Sequence, residues 1–342
     1  MATAELSADE LALYDRQLRV WGAEGQNKIK NASVLLINFN GVGTEIVKNL
    51  TLSGIGSLEL WDSSTVTEDD LSAQFFLSED DVGKNKLESV QPRIKDMNPR
   101  VNLTINTSPI AFSIEDTSYF EKFKLVIANN LSATQLYTLN AITRKLSITL
   151  HITAEHGLFG YFYNDLLINI STYTEKKQPI PRTPGKLSDN SEILTVTSKF
   201  DKEKGEVYET YSLKTSFKPF EEAMKSENLK SLKLKFRKRI SPILSITFAL
   251  YELELEDAEI TEESLKARAN QIQERLGLNP VVEESYFSDI LQQLNTEIAP
   301  VAAILGGAVA QDVINQLSGK DKPINNFMVL DGDKFMMPIY EL

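Results

Sequence analysis

The first place where this sequence could do chemistry is a short turn that holds two asparagines and two glycines. The apolar run 34–37 predicts a strand buried on both faces, and residues 38–43 connect it to a predicted helix at about 44–53. Such a turn binds phosphate when glycines allow the backbone close to the anion at the helix N-terminus. The turn is therefore a candidate nucleotide site.

The residue types in the turn argue against that use. Gly41 and Gly43 are present, but Asn38 and Asn40 stand where the first two glycines of such a motif would be. Asparagine tolerates a positive φ, so the turn can form, but its side chain would project into space that phosphate needs. We expect a structural turn without a ligand. A nicotinamide-dependent oxidoreductase is the alternative that this feature leaves open.

The sequence has almost no residues for cysteine or histidine chemistry. The chain has no cysteine, which excludes disulfides, thiolate metal sites and a cysteine nucleophile. With only His151 and His156, a histidine-based metal site is not expected. A catalytic role for His156 is one interpretation, but a hydrogen-bonded structural histidine is the expectation. We therefore expect no metal site on this chain.

Composition and charge indicate a globular protein with protein partners. The 342 residues are 42% hydrophobic and 25% charged, and the formal net charge is −12. Nucleic acids and anionic membranes both require basic surface, so binding to either is not expected. The acidic N-terminal segment does not resemble a signal peptide, and no apolar stretch is long enough for a membrane span. We expect a soluble intracellular protein.

Strands and helices alternate along the first half of the chain. Ser7 and Glu10 have the spacing of a capping box that starts an amphipathic helix, and Gly22 interrupts it before a second helix ends near residue 31. The predicted strand 58–62 ends in Asp62, at the distance from the turn expected for the acid of a dinucleotide-binding unit. Further strands are predicted at 101–105, 125–128 and 148–152, and helices at 84–97 and 133–146. This order is typical of an α/β fold with a doubly wound, mainly parallel, Rossmann-like sheet.

The pattern changes near residue 173 and returns near residue 286. A loop at 175–190 precedes two alternating segments, 193–199 and 206–214, which predict antiparallel strands joined by a turn at 202–205. Helices are predicted at 229–253, 262–276, 283–294 and 299–317, and closing strands at about 327–330 and 335–340. We therefore divide the chain into a Rossmann-like domain formed by 1–172 and 286–342 and an inserted α+β subdomain at 173–285.

The segment 14–22, with the sequence YDRQLRVWG, carries a more specific signal. It resembles the motif YDRQ-x-R-x-WG near the start of the enzymes that adenylate ubiquitin and related modifiers. Other landmarks of that family follow in the same order, at Asp62, Val66, Gln74-Phe75, 82–86, 299–307, 325–327 and 330–332. The resemblance covers most of residues 10–170 and 286–342, and it implies the ThiF- and MoeB-like adenylation fold.

Several residues depart from the pattern of the catalytically competent members. Alignment on Gln74 places Ala73 where the family has an arginine and Asp70 where it has an asparagine, and Ser64 replaces the second acid of a D-x-D motif. The family has a metal-binding aspartate just beyond the strand segment 125–131, and this chain lacks it. The missing cysteine excludes the thioester step on this chain. The resemblance thus implies a degenerate site that binds no nucleotide productively, formed by Asn38, Asn40, Gly41, Gly43, Asp62, Ala73 and Lys86.

Within the family, this pattern is similar to that of the smaller, cysteine-free subunits of heterodimeric activating enzymes. The length resembles the SUMO type. The alternatives are a Nedd/Rub-type subunit, an autonomous homodimeric adenylyltransferase of the sulfur-carrier-activating type, and a scaffold without a chemical role. The resemblance implies an obligate partner subunit that carries the catalytic cysteine and binds ATP and Mg²⁺. It also implies SUMO and a conjugating enzyme as partners, and a location in the nucleus with the cytoplasm as a further site.

The resemblance gives Arg16 a specific role. It implies that Arg16 extends into the partner's ATP site and contacts the terminal phosphates, as an arginine finger in trans. A planar, permanently charged guanidinium suits the charge that develops there. Arg19 is either a second contact to ATP or part of a structural ion pair with Asp15 or Glu24. Three neighbours at helical spacing are expected to pack on the core: Tyr14, Leu18 and Trp21.

Two further segments have open interpretations. The basic run 233–239 is a localisation signal, a docking face or a solvated helix surface. Residues 299–307 are mostly small and apolar, which suits close helix packing either inside the domain or at the subunit interface.

Overall fold

The computed structural model describes residues 6–278 and 282–342, so the first five residues of the acidic N-terminal segment lie outside it. The described residues form the strands β1 (Ser33–Ile37), β2 (Ser57–Trp61), β3 (Asn102–Asn106), β4 (Leu125–Asn129), β5 (Thr149–His156), β6 (Phe159–Asp165), β7 (Ile168–Lys176), β8 (Gly185–Lys186), β9 (Ser191–Asp201), β10 (Glu206–Ser216), β11 (Phe327–Asp331) and β12 (Ile339–Tyr340). The α-helices are α1 (Ala8–Leu13), α2 (Asp15–Lys30), α3 (Gly41–Ser53), α4 (Lys86–Met97), α5 (Ala133–Leu146), α6 (Phe220–Met224), α7 (Leu234–Arg237), α8 (Pro242–Leu255), α9 (Glu262–Leu276), α10 (Ser285–Gln292) and α11 (Ala299–Ser318).

The larger sheet has the strand order β12-β11-β6-β5-β4-β1-β2-β3. The strands β1 to β5 run parallel to their neighbours within that group, whereas β6, β11 and β12 continue the sheet in antiparallel pairs. The order confirms an α/β fold with a mainly parallel, doubly wound sheet. Because β1 lies between β2 and β4, the winding direction reverses beside it, and ligand sites of open α/β sheets lie at such a switch point.

Helices cover both faces of the sheet. In β1, Val34 and Leu36 pack into a core cluster that includes residues of α3, α4 and α11. Leu35 and Ile37 pack on the opposite face, in a cluster that includes residues of α5, α8 and α9. All four side chains are fully buried, which confirms the prediction of a strand covered on both faces.

The helix α11 lies against α3, and glycine permits the close approach. A Cβ atom at Gly306 would lie 2.6 Å from the Cβ atom of Glu45 and 2.7 Å from the carbonyl oxygen of Val42. At the next residue, Gly307, a Cβ atom would meet nothing within 4 Å. One side of the segment 299–307 therefore packs inside the chain and the other side faces outward. Among the described residues no helix, including α11, has the length and apolarity to cross a membrane.

The N-terminal helices begin as predicted but contain an additional break. The Ser7 hydroxyl accepts a hydrogen bond from the Glu10 backbone, and the Glu10 carboxylate accepts one from the Ser7 backbone, which confirms the capping box. The chain leaves the helix at Tyr14, between α1 and α2. Gly22 has φ 74°, so it interrupts α2 as the sequence predicts.

A second, antiparallel sheet has the order β7-β10-β9-β8. The hairpin of β9 and β10 confirms the predicted pair of strands, although both strands are longer than predicted. The loop predicted at 175–190 is wrong in part, because β7 extends to Lys176 and β8 lies within the loop. The strand β6 was not assigned from the sequence, since its residues are buried without alternation and give no period-2 pattern.

Two later elements also differ from the prediction. The single helix predicted at 229–253 is wrong: the chain forms the short α7, leaves the helix, and starts α8 at Pro242 with Ser241 as its N-cap. Proline lacks the N–H that a continuous helix would need and is favoured in the first turn. The strand predicted at 335–340 is reduced to β12, and Phe335 is 95% exposed in the preceding turn.

The division at 172/173 and 285/286 stays a prediction. The second sheet begins earlier, at Ile168, and the helices α8 and α9 share a core cluster with the main sheet.

Candidate functional site

The glycine- and asparagine-containing turn lies at the switch point of the main sheet. Asn38 has φ 65°, the left-handed conformation that asparagine tolerates. Its side-chain amide donates to the carbonyl of Asn129 at 2.9 Å, and the Asn129 amide donates to the carbonyl of Asn38 at 3.1 Å. The two side chains thus join the carboxyl ends of β1 and β4. Asn38 thus connects β1 to β4 at a position where a glycine would leave space for a ligand.

The N-terminus of α3 is occupied by oxygen atoms of the protein. The Oδ1 atom of Asn40 accepts a hydrogen bond of 2.8 Å from the Gly43 N–H. The Gly41 N–H donates to Oε2 of Glu297 at 2.8 Å. In a phosphate-binding turn these amides would face the anion. Here the carboxylate of Glu297, which lies just before α11, interacts with the positive end of the α3 helix dipole.

Glu297 was not identified from the sequence. It lies 256 residues from Gly41 along the chain, so no local motif links the two. The only sequence signal is an acidic residue two positions before the small-residue helix at 299–307. The contact follows from the packing of α11 against α3, which secondary-structure patterns do not specify.

Lys86 is held in a buried ion pair. Its Nζ atom lies 2.7 Å from Oδ1 of Asp70, and the two side chains are 9% and 10% exposed. Asp70 also accepts hydrogen bonds from Gln74 Nε2 at 2.6 Å and from the Thr67 backbone at 2.7 Å. Burial alone would raise the pKa of Asp70, but the Lys86 ammonium and the Thr67 donors hold that pKa below its usual value. The charge of Lys86 is therefore balanced inside the protein.

Asp62 and Ala73 complete the turn. Asp62 is buried, and its two oxygen atoms accept hydrogen bonds of 2.7 Å from the backbone N–H groups of Phe39 and Ser64. The acid that ends β2 thus stabilises the turn. Ala73 lies close to Gly41. A Cβ atom added at Gly41 would be 3.0 Å from the Cβ atom of Ala73 and 2.9 Å from Oε2 of Glu297.

The electrostatic character of the site is acidic. Glu155, at the end of β5, is fully buried and accepts a hydrogen bond of 2.7 Å from the Ile298 N–H. Burial, together with the nearby charge of Glu297, raises the pKa of Glu155 to about 8. Burial also raises the pKa of Glu297. Within residues 6–278 and 282–342, no group of three or more acidic or histidine side chains is arranged to hold a metal ion.

This arrangement disfavours an anionic ligand. A phosphate at the N-terminus of α3 would displace Glu297 from the Gly41 amide and would then face that carboxylate. Lys86 could help only by leaving Asp70, and a buried carboxylate without its partner is strongly unfavourable. The structure therefore brings together the residues that the sequence assigned to a degenerate site, namely Asn38, Asn40, Gly41, Gly43, Asp62, Ala73 and Lys86. Their hydrogen bonds and contacts serve the protein itself.

Arg16 lies apart from this site, in the first turn of α2. Its side chain is exposed, and within the described ranges it forms no hydrogen bond or ion pair. Tyr14, two residues before Arg16, is 4% exposed and accepts a hydrogen bond of 2.9 Å from Asn98 Nδ2. A free guanidinium is thus presented from a helix whose start is fixed to the core.

Arg19 and Trp21, in the same 14–22 segment, have partners. Arg19 pairs with Asp15 at 2.7 Å, whereas Glu24 pairs with Lys28. The Arg19 and Asp15 side chains are 76% and 57% exposed, so this ion pair is weak and either partner can leave it. Trp21 packs against the core, as predicted, and its Nε1 donates to Gln26 at 2.8 Å.

Both histidines have structural contacts. His151 is fully buried, stacks on Phe162, and its Nε2 lies 3.2 Å from Asp312 Oδ2. His156 accepts a hydrogen bond of 3.1 Å at Nδ1 from the Asn295 backbone. Among the residues that the structure describes, neither ring is hydrogen-bonded to a nucleophilic side chain, which agrees with the structural interpretation.

The chain matches known proteins along its whole length. The family model described as "ThiF family" matches residues 14–342. The protein called DNA damage tolerance protein RHC31, from Saccharomyces cerevisiae, is 39% identical, with 100% of this chain and 99% of that protein covered. DNA damage tolerance protein rad31 of Schizosaccharomyces pombe is 30% identical over 100% of both chains. SUMO-activating enzyme subunit 1 of Homo sapiens is 29% identical, over 96% of this chain and 94% of that protein.

A solved structure supports the fold. The crystal structure of selenomethionine PaaA aligns with a TM-score of 0.56 and 16% sequence identity, covering 100% of this chain and 76% of that one. At this identity the likeness concerns the fold alone.

Proposed function

Since this chain belongs to the ThiF family, we propose that it is the non-catalytic subunit of a heterodimeric SUMO-activating enzyme. Its cysteine-bearing partner would bind ATP and Mg²⁺, adenylate SUMO and form the thioester. The single observation that carries the proposal is the end-to-end match to SUMO-activating enzyme subunit 1, which covers 96% of this chain. The relatives favour this function over a Nedd/Rub-type subunit, an autonomous adenylyltransferase and an oxidoreductase. The nuclear location stays a prediction.

The state of the turn supports the assignment of ATP to the partner. On this chain, the N-terminus of α3 already holds the Glu297 carboxylate, and Lys86 already pairs with Asp70. These residues do not fit a nucleoside triphosphate, whose phosphates need free backbone amides and free cations. We therefore derive no chemical step at this site.

Arg16 is the group that this chain would contribute to the reaction. Adenylation joins the C-terminal carboxylate of the modifier to the α-phosphate of ATP and expels pyrophosphate, so negative charge must be neutralised on the triphosphate. The exposed Arg16 guanidinium carries a permanent charge and has donors suited to phosphate oxygens. It would act in trans, from the first turn of α2. Arg19 could join it only by leaving Asp15.

The test is the Arg16→Ala variant, purified together with the partner subunit. We expect the heterodimer to remain intact and the modifier-dependent exchange of pyrophosphate into ATP to fall about tenfold or more, because charge stabilisation at the phosphates is lost. Arg100→Ala is the matched control, since Arg100 is also an exposed arginine without an ion pair in the described part of the chain. It should exchange at the wild-type rate.

The outcomes separate the alternatives. Unchanged exchange in Arg16→Ala would contradict the finger assignment and favour a scaffold. Failure of the chain to pair with a cysteine-bearing subunit would contradict the heterodimer itself.

A further inference from the structure

The strongest charged feature outside the candidate site is the segment 233–239, which we name the basic ridge. It contains the α7 turn, and Leu234 and Phe236 within it are 50% and 46% exposed. Four of its basic side chains are exposed and form no ion pair with a carboxylate in the described part of the chain: Lys233, Lys235, Lys238 and Arg239. This cluster lies on a protein whose formal charge is −12.

The basic ridge is held in place at both ends. Leu229 before it and Ile240 after it are buried in the core, at 3% and 5% exposure. Within it, Arg237 donates a hydrogen bond of 2.8 Å from Nη1 to the carbonyl of Gly277, at the end of α9. The exposed apolar side chains are therefore presented by a fixed backbone.

A groove adjoins the basic ridge. A cavity of about 770 Å³ lies between the β8 region, residues 227–232 and β12. Its apolar lining includes Leu187, Leu229, Leu232 and Ile339, and Leu232 directly precedes the first residue of the basic ridge. Leu187 and Ile339 are 62% and 52% exposed, so the apolar surface continues from the basic ridge into the groove.

The acidic side chains of the groove are already engaged. Asp189 pairs with Lys186 at 2.9 Å, and Glu227 pairs with Lys230 at 2.6 Å. Glu341 accepts a hydrogen bond of 2.9 Å from the Ser188 hydroxyl. Glu341 keeps its negative charge because the hydroxyl is neutral, but the four unpaired cations of the basic ridge outnumber it, so this surface is positive overall.

From this arrangement we propose that the basic ridge and the groove form a docking surface for an acidic peptide segment of a partner protein, with apolar side chains between its carboxylates. The carboxylates would face the four cations that have no ion pair, one of which, Lys235, lies over the Phe236 ring at 4.9 Å, and the apolar side chains would cover Leu234, Phe236 and the groove. Exposed leucine and phenylalanine would gain little from a phosphate backbone, which is why a protein segment fits better than a nucleic acid. The inference does not depend on the activity proposed above.

The test is fluorescence anisotropy with the full chain and a labelled synthetic peptide in which Glu and Leu alternate. We expect the double variant Lys235→Gln/Lys238→Gln to bind about fivefold more weakly, and we expect binding to weaken several-fold when salt rises from about 50 to about 300 mM. Leu234→Ser/Phe236→Ser should weaken binding as well. All four substituted side chains are exposed, so these variants keep the fold.

The matched control is Lys199→Gln/Lys202→Gln, which removes two exposed lysines from the β9–β10 hairpin. It should bind the peptide within about twofold of wild type. An equal loss in this control, or equal binding of a peptide with Gln in place of Glu, would overturn the proposal. Tighter binding of a single-stranded DNA oligonucleotide than of the acidic peptide would assign the surface to nucleic acid instead.

Discussion

Glu155 is a buried carboxyl group whose ionisation is coupled to folding. Burial raises its pKa to about 8, and the Glu297 charge acts in the same direction. In the unfolded chain the group ionises near its ordinary value of 4.5. Between these values the folded state binds the proton and the unfolded state does not. The contribution of Glu155 to stability therefore falls as pH rises from about 4.5 to about 8, and it is constant above that range.

The variant Glu155→Gln should remove this dependence. The amide oxygen can still accept the hydrogen bond from Ile298, but no charge forms in the core. Because the pKa of Glu155 rises from 4.5 to about 8, we expect the stability gain of the variant over wild type to grow by about 3–4 kcal/mol between about pH 5 and about pH 8. Urea unfolding at several pH values measures the difference. The exposed Glu203→Gln is the control and should show a difference that does not change with pH; a pH-independent difference in Glu155→Gln would contradict the coupling.

Most residues of the degenerate site could be predicted from the sequence, but their hydrogen-bond partners could not. The positive φ of Asn38 follows from the residue type and its place in the turn. The hydrogen bond from Gly41 to Glu297 links residues that are 256 positions apart, and it depends on a helix–helix contact for which the sequence has no local signal. The sequence thus indicates that glycines are missing, but not which group takes the place of the anion.

At the level of elements, two adjacent glycines of α11 should respond differently to the same substitution. In Gly306→Ala the new methyl group would overlap Glu45 and the Val42 carbonyl, so we expect a loss of about 1–3 kcal/mol. In Gly307→Ala the methyl group meets open space, and the higher helix propensity of alanine should stabilise α11 by up to about 1 kcal/mol. Thermal or urea unfolding of both variants tests the prediction. Equal effects would mean that α11 does not pack closely against α3.

Elements with strong end signals were predicted best. The helix α9 has the predicted bounds, because Thr261 caps its start and Gly277 ends it in the left-handed conformation. The single helix predicted at 229–253 is wrong because apolar residues lie on both sides of Ser241 and Pro242. The apolar pattern therefore does not show the break at which the chain turns. The strand β6 was missed for a related reason. Because all of its residues are buried, its sequence lacks the alternation of apolar and polar residues by which a strand is recognised.

At the scale of the whole molecule, the isolated chain should bind ATP weakly. The α3 N-terminus and Lys86 are engaged within the chain, so a nucleotide must displace Glu297 and separate Lys86 from Asp70. We expect titration calorimetry on the purified chain to detect no binding of ATP with Mg²⁺ at micromolar concentrations, whereas the heterodimer should bind it. Micromolar affinity of the chain alone would overturn the assignment of ATP to the partner subunit.

The late position of α11 in the chain affects how the protein is made. Its residues Leu305, Val309 and Val313 cover one face of a sheet whose first strand is made of residues 33–37. During synthesis the parallel strands leave the ribosome long before this helix does. The part of this apolar face that α11 covers thus stays exposed in the nascent chain until Ser318 has emerged, and such exposed surface is prone to aggregation. The order of the elements gives chaperones a long interval in which to protect the growing polypeptide.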